Sequence, residues 1–204
     1  MKKLALFCLI LCSCTSENKP IITDFKTQFE ISNGTQTATY EGTITYYKQL
    51  AAAYDAIQIE AIGETDSGKP LHIITLNPDM NFDFSEVRKS KRILLINNGI
   101  HPGESDGIDA TMLLYRDIVQ GKITMPKSTV LVTIPVYNVG GSLNRNATTR
   151  TNQNGPEDYG FRGNARNFDL NRDFIKYCHR SGFINTVLAA MEPLVLIIIG
   201  TLTS

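Results

Sequence analysis

Hydrophobic positions along this chain follow two rhythms, and each predicts a kind of element. From Ile44 to Tyr54 the residues Tyr47, Leu50 and Tyr54 recur at the spacing of one helical face. Ile57 to Ile62 alternates as a half-buried strand does. Asp66-Ser67-Gly68-Lys69-Pro70 is a turn, and Leu71 to Leu76 is a second strand, so the two runs predict a hairpin. Ile93 to Ile96 is apolar throughout, the mark of a strand covered on both faces, and Asn97-Asn98-Gly99 ends it. Ile108, Met112, Tyr115 and Val119 then fall on one helical face, stopped by Gly121. Thr129 to Val136 is a further strand with Pro135 near its end, and Val195 to Ile199 reads as a buried strand. Glu192-Pro193 interrupts the apolar stretch 187–199, which argues against a membrane helix there. Residues 23–42 are polar and threonine-rich and give no assignment.

Strand, loop, helix and strand in that order predict an α/β domain, a mixed but largely parallel sheet flanked by helices. Ligands bind such sheets outside the carboxyl ends of the strands. Two segments follow such ends: His101-Pro102-Gly103-Glu104, and the stretch from Asn138 to Arg150. An imidazole nitrogen and a carboxylate oxygen are both zinc donors, and Pro102 and Gly103 turn the loop so that both side chains face one point. Glu104 also has a purely structural reading, because a carboxylate beside the first turn of a helix is favoured by the helix dipole. His72, inside a strand, reads as a packed or solvated residue rather than a functional one.

Residues 138–175 form a long loop-like region rich in Asn, Gly and Arg, and a loop of that length in a domain is functional or disordered. It carries Arg145, Arg150, Arg162, Arg166 and Arg172. One reading is a solvated basic surface. The other is that one or two guanidinium forks grip a carboxylate, with Asn171-Arg172 the most pointed pair.

Composition narrows the picture. A chain of 204 residues suits one domain, and 42% hydrophobic content is ordinary for a globular one. Twenty Lys and Arg balance 20 Asp and Glu, so no global field recruits nucleic acid or an acidic membrane. The beginning is a targeting segment: Lys2 and Lys3, an apolar Leu4 to Leu11 too short to span a bilayer, then Leu11-Cys12-Ser13-Cys14. It resembles a bacterial lipoprotein signal in which Cys14 is lipidated, with a plain secretory signal as the alternative. The domain reading is therefore 1–14 signal, 15–42 tether and N-terminal extension, and 43–204 the α/β domain. It implies a cell-envelope location, anchored through lipid on the periplasmic or extracellular face. Cys178 is left alone in the body and reads as a free thiol.

Taken together, His101-Pro102-Gly103-Glu104, Arg150, Asn152-Gln153-Asn154-Gly155-Pro156, Gly160-Phe161-Arg162-Gly163 and Asp169-Leu170-Asn171-Arg172-Asp173-Phe174 resemble the zinc carboxypeptidases of peptidase family M14, over residues 55–175. The resemblance implies a carboxypeptidase-like fold and one zinc ion, with His101 and Glu104 as metal ligands. It implies that Asn171 and Arg172 bind a peptide's C-terminal carboxylate and that Arg150 polarises the scissile carbonyl. The implied partner is a peptide C-terminus. The family's third ligand is a histidine on a later strand, and the register of Ile199-Gly200-Thr201-Leu202 places Leu202 there. The family's general-base glutamate falls at a position past Ser204. His179 lies in a stretch unlike the family and is not read as a substitute. The expectation is a domain truncated at its C-terminus with little or no hydrolytic activity. Alternatives are a non-catalytic, lipid-anchored peptide-binding protein, a zinc amidase or deacylase of small acyl amino acids, and the inactive product of a disrupted gene. The sequence holds no segment that sets side-chain specificity.

Overall fold

The computed structural model describes residues 24–172 and the backbone of 195–199. The readings of Cys14 as a lipidation site, of Cys178 and His179, and of Leu202 against the family register lie outside the described residues.

The predicted hairpin is present as β1 (Ile57–Glu64) and β2 (Pro70–Leu76), paired antiparallel. β1 alternates between covered and exposed residues from Ile57 to Glu60, as a strand with one face on the core does, and its register slips between Ala61 and Gly63. The apolar runs become β3 (Arg92–Asn97), β4 (Thr129–Ile134) and β5 (Val195–Ile199). The sheet order is β1-β2-β4-β3-β5. β2 meets β4 antiparallel, whereas β3 runs parallel to both β4 and β5, so the sheet is mixed and its parallel part is centred on β3. That arrangement has a direct consequence. Asn97 pairs with Ile134, so the loops leaving β3 and β4 emerge side by side at one end of the sheet.

Two 14-residue helices supply much of the cover, α2 (Tyr40–Ala53) and α4 (Asp106–Val119), with the one-turn α3 (Phe84–Val87) between them in the chain. α2 starts a turn earlier than its apolar rhythm predicts. Gly42 and the β-branched Thr43 and Thr45 are poor helix formers, and the Thr39 side chain offsets this by accepting the Gly42 N–H. α4 presents Ile108, Met112 and Tyr115 to the core as its spacing predicts, and Gly121 beyond its end adopts φ +74°. The two helices meet edge to face through Tyr47 and Tyr115, ring centroids 5.5 Å apart. Leu76, Leu95, Val132 and Ile134 are wholly buried between sheet and helices, each worth roughly 1.5–3 kcal/mol of apolar transfer. His72 is buried, its Nδ1 3.3 Å from the Tyr40 hydroxyl, as the packed reading holds.

The stretch that gave no assignment is ordered. α1 (Gln28–Ile31) opens with a reciprocal cap between Thr27 and Glu30. Arg116 of α4 then donates to both Glu30 carboxylate oxygens at 2.9 and 2.7 Å. Further on, the Thr37 hydroxyl donates to the buried carboxyl of Asp109. Burial pushes the Asp109 pKa up to about 6, against the opposing pull of the Thr37 hydrogen bond. A carboxyl whose pKa is raised by folding costs stability as pH rises from its unfolded value near ~4 to about 6, and the penalty is constant above that. Asp109→Asn is therefore expected to leave stability near pH 4 almost unchanged and to gain on the order of 2–3 kcal/mol at pH 7.5. Thermal melts of both proteins at the two pH values check this, and an equal effect at both would refute it.

Candidate functional site

The loop after β3 carries His101 to Glu104, and packing rather than regular structure fixes it. Gly103 lies against the backbone of Gly160 and the side chain of Arg150, where a Cβ would come within 2.7 Å of the Gly160 carbonyl. Pro102 sits in the same way against Gly160. The loop after β4 leads into α5 (Val139–Leu143), a short helix within the region that reads as loop in the sequence. Its cap, Asn138, accepts the Gly141 N–H at 2.8 Å and donates to the carbonyls of Ile100 and Arg162, so one buried amide joins three loops.

His101 is 3% exposed, and its two nitrogens face different carboxylates. Nδ1 lies 3.5 Å from Glu104 Oε1, and Nε2 lies 2.8 Å from Asp169 Oδ1. Burial would raise the Asp169 pKa, but hydrogen bonds from His101, Arg162 and the Asn171 N–H hold it down to about 2. An ionised carboxylate only accepts hydrogen bonds, so Nε2 carries the proton. With Nδ1 unprotonated its lone pair faces Glu104 Oε1, an oxygen that also accepts from Arg150 Nη2, and a cation shared by the two donors would relieve that repulsion. Two donors each about 2.0–2.2 Å from one tetrahedral ion would themselves be about 3.4 Å apart. The 3.5 Å separation fits that spacing. The Asp169 bond to the far nitrogen is the arrangement that fixes the tautomer and orientation of a metal-binding imidazole.

The fit extends to two donors. Among the described residues no group of three or more His, Cys, Asp or Glu is disposed to hold a metal ion. Asp169 does not complete a triad, because it occupies the ring edge opposite the one Glu104 faces.

Arg150 reaches the same place. Its Nη2 donates to Glu104 Oε1 at 2.8 Å, and its backbone N–H is held by the Tyr159 hydroxyl at 3.0 Å. Gln153 Nε2 ties this loop to the first by donating to the Gly103 carbonyl at 2.9 Å. Arg162 grips Asp169 Oδ2 through Nε and Nη2 at 2.9 and 2.8 Å. Two carboxylates and two guanidiniums thus surround His101, and a cleft of about 680 Å³ opens beside them over Glu104, Arg150, Gln153 and Arg162. Asn171 and Arg172 lie on a 3-10 turn (Leu170–Arg172) directly after Asp169. The Asn171 N–H donates to Asp169, whereas the exposed Arg172 guanidinium donates to the Asn171 carbonyl at 3.3 Å. The structure therefore brings His101, Glu104 and Arg150 together. It sets Asn171 and Arg172 directly after Asp169 in the chain, with the Arg172 fork turned to its own backbone.

Sequence reasoning missed Asp169, Gln153, Tyr159 and Asn138. Asp169 is 68 residues from His101, and no local period links them. The signal that was available is its place at the head of the Asp-Leu-Asn-Arg run.

The zinc carboxypeptidase family profile matches residues 43–189. Among solved structures, a metallo-carboxypeptidase from Burkholderia cenocepacia superposes with a TM-score of 0.54 at 18% identity, over 78% of this chain and 39% of its own. A metallo-carboxypeptidase from Pseudomonas aeruginosa gives 0.55 at 17%, over 78% and 39%. The carboxypeptidase A of Helicoverpa armigera gives 0.53 at 15%, over 78% and 45%. At these identities the likeness is one of fold, and the chain spans less than half the length of each. No curated protein matches the sequence.

Proposed function

The chain belongs to the zinc carboxypeptidase family, and from that membership we propose that it carries part of a metallocarboxypeptidase centre acting on peptide C-termini. His101 and Glu104 would hold the zinc ion on which the family depends, and Asp169 orients His101 from behind. Zinc bound there would supply Lewis-acid polarisation of a carbonyl and a water of lowered pKa. Arg150 donates to the oxygen on which negative charge develops, its guanidinium already held at the site by Glu104 and its backbone N–H by the Tyr159 hydroxyl. Asn171 and Arg172 receive the terminal carboxylate, an anion suited to a planar fork beside an amide. Cys14 is the lipid-bearing residue, which places the domain at the cell envelope.

The observation that carries this reading is the pair His101 Nδ1 and Glu104 Oε1, turned toward each other while Asp169 takes the other ring nitrogen. A catalytic zinc takes three protein donors and a water, and residues 24–172 offer two. We therefore propose that this chain alone holds zinc weakly and hydrolyses little.

Equilibrium binding of one peptide in two forms tests the reading, a free C-terminal carboxylate against a C-terminal amide. The free acid is expected to bind at least about tenfold more tightly, since a charge-assisted pair is worth roughly 1.5–3 kcal/mol. Equal binding of both forms would overturn the assignment of Asn171 and Arg172. Acid-selective binding without zinc would favour the non-catalytic peptide-binding alternative. Rapid, chelator-sensitive release of C-terminal residues would overturn the expected weakness of the chain. Release of acyl groups from small acyl amino acids instead would favour the amidase alternative.

A further inference from the structure

We infer that residues 35–38, upstream of the matched family region, form a splint that holds the Arg150 loop, and that Arg145 is its positioning residue. Two anchors on α4 set the path of the splint. Glu30 meets Arg116, and Thr37 meets Asp109. Positions 109 and 116 are two turns apart on one helical face, about 10 Å along the axis. The segment therefore runs back along α4 toward its N-terminal end, where the 101–104 loop enters the helix.

There it meets the loop 144–159. The Glu157 N–H donates to the Thr35 carbonyl at 2.8 Å, and Gln36 Nε2 donates to the Glu157 carboxylate at 2.8 Å. Arg145 bridges the two segments more centrally. Its guanidinium donates to the carbonyls of Thr37 and Ala38, both at 3.4 Å, and to that of Asp158 at 2.6 Å. Burial lowers the Arg145 pKa, and the charges of Asp158 and Asp109 oppose that shift. The loop is closed at its base by reciprocal backbone bonds between Asn146 and Tyr159, each 3.0 Å. Tyr159, 2% exposed, in turn holds the Arg150 N–H. A continuous line of contacts thus leads from the splint through Arg145, Asp158 and Tyr159 to the backbone of Arg150, whose guanidinium sits on Glu104. A planar fork reaches carbonyls on both sides at once, whereas an ammonium is a point donor. A lysine at 145 leaves at least one of these three carbonyls without its donor.

The consequence for peptide binding rests on the role proposed above for Arg150; the mechanical coupling does not. Hydrogen exchange of the full chain tests both together, in wild type, Arg145→Lys and Gln36→Ala. Arg145→Lys is expected to speed exchange at residues 146–159 by at least about tenfold while the amides of β3 and β4 are unchanged. Gln36→Ala, an exposed substitution that leaves the core intact, is expected to act in the same direction and more weakly. The preference for a free-acid peptide over its amide should fall severalfold in Arg145→Lys. Faster loop exchange in a protein that never distinguished acid from amide would support the splint and overturn the peptide reading. Unchanged exchange at 146–159 in both variants, or acceleration spread equally over β3 and β4, would overturn the splint.

Discussion

Gly141→Ala is expected to be strongly destabilising for a single methyl addition near the site. A Cβ at this position overlaps the Phe161 carbonyl and comes within 2.6 Å of Asn138 Nδ2 and 2.7 Å of the Gly163 carbonyl. Two of the three obstacles are backbone, and the third is the amide that joins the loops at 100, 141 and 162. None has a flexible end that can swing away, so the 161–163 segment must shift. The expected cost is about 3 kcal/mol, at the upper end of what overpacking usually exacts. It falls on the segment that carries Arg162, and through Arg162 on Asp169. Urea unfolding of the variant against wild type measures it, and a change within about 0.5 kcal/mol, the ordinary scatter of surface substitutions, would contradict the close approach.

The second large effect is on metal affinity. His101→Ala is expected to abolish zinc binding, because it removes one of two donors. Asp169→Asn leaves both donors in place but replaces an anionic acceptor that fixes the imidazole by a neutral amide. Loss of such an outer partner costs roughly 10–100-fold in metal affinity. The carboxylate is well suited to the task, since its depressed pKa keeps it ionised at every pH above about 2. Competition against a chromogenic chelator at pH 7 gives the ratio of affinities. An unchanged affinity in Asp169→Asn would show that the His101–Asp169 bond has no part in holding the metal.

These two predictions also mark where the sequence could be read and where it could not. β3, β4, the hairpin and α4 were legible because each satisfies one local period, and burial of Leu95, Ile134, Ile108 and Met112 follows that period. The start of α2 was not, because Gly42, Thr43 and Thr45 oppose the helix and only the Thr39 cap announces it. α5 was read as loop for a similar reason: its Gly140-Gly141 step has low helix propensity and is held by the Asn138 cap and by close backbone neighbours. His101 and Glu104 were legible as a pair because only the turn residues Pro102 and Gly103 separate them. Asp169, Gln153 and Tyr159 reach the site only through tertiary packing, which no spacing encodes. Arg150 was named by resemblance to the family, and its place on Glu104 follows from the loop closure at Asn146 and Tyr159. The direction of the Arg172 side chain, toward the Asn171 carbonyl, is likewise a property of context.

The account rests on an imidazole and a carboxylate from one strand-end loop sharing a cation. X-ray absorption at the zinc edge, on the zinc-loaded chain and on its His101→Ala variant, tests this most directly. The account predicts a shell of nitrogen and oxygen donors at about 2.0–2.2 Å with the multiple-scattering signature of an imidazole, lost in the variant. A spectrum unaltered by His101→Ala, or a sulfur shell near about 2.3 Å, would place the metal elsewhere and contradict it.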